Sequence, residues 1–113
     1  MKPVLVTPPA EDPVTVSELK SHARITAPDE DDLLIGYLAA AVAHLDARQG
    51  ILGRCIIDQT WRQDYAGWGT MRLPFPDVSS ASVTYLDADG VTQTLLASEY
   101  ELIETAGVAE VVL

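Results

Sequence analysis

The stretch Asp29–Leu45, DEDDLLIGYLAAAVAHL, decides the fold. Its apolar side chains at Leu33, Leu34, Tyr37, Leu38, Ala41, Val42 and Leu45 recur three and four residues apart, the spacing that gathers them on one side of a helix. Asp29, Glu30, Asp31 and Asp32 sit where carboxylates favour the positive end of the helix dipole, and Arg48 completes the polarity at the other end. Gly50 suits the left-handed residue that ends a helix. The spacing predicts a long helix over about 29–49.

Upstream, Thr15 followed three residues later by Glu18 has capping-box spacing, which predicts a short helix over Val16–Ala23. Pro3, Pro8, Pro9 and Pro13 lack amide donors and restrict their neighbours, so residues 1–13 are expected to form an extended arm. Downstream the period changes to two. Ile57, Trp61 and Tyr65 alternate with Asp58, Thr60, Arg62 and Asp64, and Met71, Leu73 and Phe75 repeat the pattern until Pro74 and Pro76 confine that strand to an edge. Val83–Leu86 and Val91–Leu96 flank Asp87-Ala88-Asp89-Gly90, a hairpin over 83–96. Tyr100–Ile103 and Glu110–Leu113 read as two further strands. The expected fold is α+β: an N-terminal pair of helices, then a small antiparallel sheet. It is read as a single domain over 1–113, with an arm at 1–13, a helical part at 14–50 and a β part at 55–113. The chain ends within an apolar strand, as a naturally short form or a piece of something longer would.

Composition narrows the function. Among 113 residues, 17 acidic side chains face 7 basic ones, a formal charge of −10, and both halves of the chain are acidic. Such a chain lacks the cations that phosphate binding requires, which argues against DNA gripping. Cys55 is the single cysteine, so no intrachain disulfide can form, and with no signal peptide or membrane span in view an intracellular location is expected.

Groups that could carry chemistry are few. His22 and His44 could act as bases near neutral pH, but no nucleophile motif accompanies either, and both read better as helix residues. Arg54 beside Cys55 could lower its thiol pKa, whereas Ile56 and Ile57 favour a buried structural cysteine. The Asp87-Ala88-Asp89-Gly90 stretch lacks the further ligands of a calcium loop, and Gly67-Trp68-Gly69 lacks the lysine and helix of a phosphate loop. Trp61 and Tyr65 read as core. No catalytic residue, cofactor or metal ligand is expected. The candidate interface residues are Pro8, Pro9, Asp29, Glu30, Asp31, Asp32 and Trp68, chosen for exposure.

The order of these pieces carries a resemblance. The start Pro3-Val4-Leu5-Val6-Thr7-Pro8-Pro9-Ala10, the helix Val16–Arg24, the acidic lead into Asp32-Leu33-Leu34-Ile35, Gln59-Thr60-Trp61, Arg72-Leu73-Pro74 and the Val83–Gly90 hairpin resemble the head-tail connector (adaptor) family of tailed bacteriophages and phage-like gene transfer agents. The match runs from about residue 3 to residue 100. The resemblance implies a non-enzymatic virion-assembly protein that forms a ring, typically of twelve copies, between the portal protein and a tail or stopper protein. DNA would pass through that ring without being specifically bound. It also implies residence in the host bacterial cytoplasm during assembly and then in the neck of the particle. Family members are often longer, which leaves the docking surface more open than the fold. Two other readings compete: a generic acidic protein–protein adaptor, and a small hydrolase using His22 or His44.

Overall fold

The computed structural model describes every residue except Met1, Arg48 and Gln49. The fold is α+β, two helices followed by antiparallel strands. In chain order the elements are β1 (Val4–Thr7), α1 (Val16–Ala23), α2 (Asp31–Leu45), β2 (Thr60–Arg62), β3 (Met71–Arg72), β4 (Thr84–Leu86), β5 (Thr92–Thr94), a 3₁₀ turn (Ala97–Glu99), β6 (Glu101–Thr105) and β7 (Val108–Val112). They form two compact units, one over Val4–Arg62 and the other over Gln63–Leu113 with the first three residues. No helix among the described residues is long and apolar enough to cross a membrane.

In the Val4–Arg62 unit, α1 has the expected bounds and starts at its capping box. The Thr15 hydroxyl accepts the Glu18 amide at 3.1 Å while the Glu18 carboxylate accepts the Thr15 amide at 3.1 Å. Arg24 closes the helix in the left-handed region, and the Ile25 amide returns to the Lys20 carbonyl. The expected arm is not free along its whole length: β1 pairs antiparallel with β2, Val4 opposite Arg62 and Leu5 opposite Trp61, with an irregularity before Thr7 opposite Thr60.

Helix α2 is shorter than the expected 29–49 at both ends. Pro28 and the residues after it form a turn in which the Asp31 amide donates to the Pro28 carbonyl, and Glu30 precedes the first turn without a side-chain cap. At the far end Asp46 is extended, and Ala47 rather than Gly50 takes the left-handed conformation, with φ of 57°. Gly50 is needed for a different reason: a Cβ there would lie 2.3 Å from the Leu45 carbonyl carbon and 2.4 Å from the Asp46 amide nitrogen. That close approach lets the amides of Ile51 and Leu52 donate to the His44 and Leu45 carbonyls at 2.9 and 3.1 Å, satisfying groups that a helix end leaves bare. The expected contribution of Arg48 lies outside the described residues.

The Gln63–Leu113 unit holds most of the buried apolar side chains: Met71, Phe75, Ala109 and Val111. Strand β7 is central in the order β3-β7-β6, with Met71 opposite Val111 and Ile103 opposite Glu110. Burial alternates along β7, so Ala109 and Val111 face one way and Glu110 the other. Strands β4 and β5 pair separately, Tyr85 opposite Gln93, as the hairpin reading expects. In its turn only Gly90 takes positive φ, 77°. Among the described residues the single expected sheet is thus three ladders, because the period-two runs are broken: Ile57 and Tyr65 lie outside β2, and β3 makes its last bond to β7 from the Leu73 amide to the Ala109 carbonyl at 2.9 Å, after which Pro74 has no amide to donate.

Candidate functional site

Side chains on the inner side of α2 are Leu34, Leu38 and Val42, all half-buried, whereas Leu33, Tyr37, Ala41 and Leu45 of the predicted stripe are exposed. Tyr37 is 61% exposed and Leu33 49%. The helix is apolar around most of its circumference, so one stripe serves this unit and the rest faces outward. The same holds elsewhere: Val4, Leu5 and Val6 of β1, Ile51 and Leu52 after α2, and Leu86, Val91 and Leu96 of the hairpin are all exposed.

The magnitude of this exposure is informative. A monomeric protein of 12.2 kDa is expected to present about 6,100 Å² of accessible surface, and two separate proteins of half that mass about 7,300 Å² together. This chain presents 8358 Å². The excess over even the two-protein figure, about 1,000 Å², exceeds one partner's ~800 Å² share of a standard protein interface.

The sequence-derived interface residues are distributed over both units. Pro8 is exposed and Pro9 half-buried just after β1. Asp29, Glu30 and Asp32 are exposed at the start of α2, while Asp31 is engaged: its carboxylate accepts the Lys20 ammonium at 2.8 Å and ties α1 to α2. Beside this pair lies an open groove of about 410 Å³ lined by Val16, Ser17, Ser21, Ile25 and Thr26. Neither His22 nor His44 lines it, and both histidines are exposed. Trp68, 61% exposed in the other unit, packs edge-on against Tyr85 with ring centroids 5.3 Å apart and planes at 69°.

Sequence reasoning missed the polar cluster below α2. The Asp46 carboxylate accepts the Ile56 amide at 2.8 Å and the Gln59 side-chain amide at 3.3 Å, and the Gln59 carbonyl oxygen accepts the Trp61 indole N–H at 2.8 Å. Contacts that span ten or thirteen residues leave no periodic trace; an aspartate just past a helix end was the one available sign. Cys55 lies in this neighbourhood, half-buried. Burial pushes its thiol pKa up, the Asp46 charge pushes the same way, and a hydrogen bond with Trp61 opposes them. The lowering that Arg54 could exert does not prevail, because desolvation and a nearby carboxylate both disfavour a thiolate. Tyr65 is also raised by burial, and its hydroxyl donates to the Arg72 carbonyl. Among the described residues no group of three His, Cys, Asp or Glu side chains is arranged to hold a metal ion. Compared with protein-family models, with curated proteins and with solved structures, the chain matches none of them significantly.

Proposed function

We propose that this chain is a non-enzymatic assembly subunit, similar to the head-tail connectors of tailed bacteriophages and gene transfer agents, which joins other copies of itself in a ring between a portal and a tail protein. The observation that carries the reading is the surface excess: a chain of this mass exposing 8358 Å², much of it Leu, Val, Ile and Tyr, has surface that neighbours would cover. A ring requires that one surface of each subunit meet a different surface of the next. The Pro8–Pro9 arm and the Trp68 turn, which belong to different compact units, provide two such surfaces. On the resemblance the ring holds about twelve copies. With −10 on each subunit, its lumen would repel the phosphate backbone and let duplex DNA slide.

The test is electron microscopy and co-sedimentation of the purified chain with a portal complex. A ring seated on the portal is the expected result. A chain that remains in the supernatant at every ratio overturns the portal reading. Duplex DNA retained by the chain at ~0.15 M salt overturns the sliding-lumen reading.

A further inference from the structure

The outward face of α2 carries exposed residues at a regular spacing. Leu33, Tyr37, Ala40 and His44 are all exposed and follow one another at spacings of four, three and four. That is the rhythm of a coiled-coil seam, and it lies on the side of the helix away from Leu34, Leu38 and Val42. The spacing also reads the same in both directions about the midpoint between Leu38 and Ala39. A second α2 related by a two-fold axis through that midpoint therefore places Tyr37 against the partner's Ala40, a large side chain against a small one, and Leu33 beside the partner's His44. Gly36 and Ala41 pair about the same midpoint, and both are exposed and small enough to let the backbones approach.

Charge disfavours the parallel arrangement. Side by side in parallel, two helices would bring both sets of Asp29, Glu30, Asp31 and Asp32 together, a like-charge contact that opposes association. Antiparallel packing separates the two acidic starts by the helix length, roughly 22 Å for fifteen residues, and sets the helix dipoles against each other favourably. We infer that the free chain self-associates as a two-fold dimer through an antiparallel α2 seam of Leu33, Tyr37, Ala40 and His44. One short helix pair is a small interface, so the dimer is reversible and forms at high protein concentration. It concerns the free chain and does not depend on the ring.

The test uses the full chain. Sedimentation equilibrium up to ~100 μM, where small interfaces become populated, should show the mass rising from one chain toward two. Ala40→Glu, on the outward face, should keep the helical circular dichroism and lose the dimer; Tyr37→Asp serves as the second variant. In a Cys55→Ser background, oxidising a mixture of Leu33→Cys and His44→Cys chains should give disulfides between the two variants rather than within each. A wild-type chain monomeric throughout, association unaffected by Ala40→Glu, or each cysteine variant linking to itself would overturn the inference. Portal binding by either seam variant is a separate readout, so the ring reading and the dimer can fail independently.

Discussion

Asp46 and Ile56 are joined by a 2.8 Å hydrogen bond from the Ile56 amide to the Asp46 carboxylate, and this contact holds the segment after α2 in place. Removing the carboxylate with Asp46→Ala leaves the Ile56 amide and the Gln59 side chain without that acceptor. The expected cost is about 1–3 kcal/mol in urea unfolding, with Asp46→Asn milder because one oxygen acceptor remains.

Thiol reactivity gives a second readout of the same cluster. Burial and the Asp46 charge hold the Cys55 thiol above its ordinary value of 9.0. Alkylation by iodoacetamide should therefore be slow near neutral pH and accelerate only above pH 9.0. In Asp46→Asn the rate profile should move toward lower pH. A wild-type midpoint below that of a free thiol would contradict the assignment.

Gly50 and Gly36 should respond oppositely to alanine. At Gly50 the new Cβ would meet backbone atoms at 2.3–2.4 Å, so the helix end must shift, at an expected cost of about 2 kcal/mol or more. At Gly36, inside α2 with open space around its Cα, alanine should stabilise by roughly 0.5–1 kcal/mol. Thermal or urea unfolding of the two variants checks both signs.

Asp87 makes the hairpin sensitive to acid. Its carboxylate accepts from the Gln93 side chain and from the Val91 and Asp89 amides, each at 2.9 Å, and these bonds hold its pKa below the usual 3.8. A carboxyl lowered by folding supports the folded state above its unfolded value, and that support fades as the pH falls through the folded one. NMR titration of the Asp87 carboxyl should give a midpoint below 3.8, and Asp87→Asn should flatten the hairpin's dependence on pH in that range.

What the sequence made legible was local. The Thr15–Glu18 box marked the start of α1, since each partner lies within one turn of the other. Leu34, Leu38 and Val42 marked the inner side of α2, but periodicity alone could not distinguish them from Leu33 and Tyr37, which have the same spacing and stay exposed. The strand content of the arm was hidden because Val4–Thr7 acquires its partner at Thr60–Arg62, more than fifty residues away. Gly50 was read by the commonest use of glycine at a helix end, while the actual need, room for backbone against backbone, depends on the path of the following loop. The candidate surfaces were recognisable as polar or proline-rich segments. The exposed apolar area beside them was not, since a hydrophobic residue in a sequence carries no mark of whether its own chain will cover it.

The position of β7 bears on the order in which the protein can be built. Both β3 and β6 take their hydrogen-bonded neighbour from Val108–Val112, and Met71 waits for Val111, forty positions further along the chain. During synthesis α1, α2 and the β1–β2 pair can close as soon as Arg62 has left the ribosome, whereas the three-stranded sheet has no middle until residues 108–112 emerge. A stop codon that spares everything up to Gly107 would thus remove the strand that two others require, and a nascent chain paused there should display Met71 and Phe75 to any chaperone within reach.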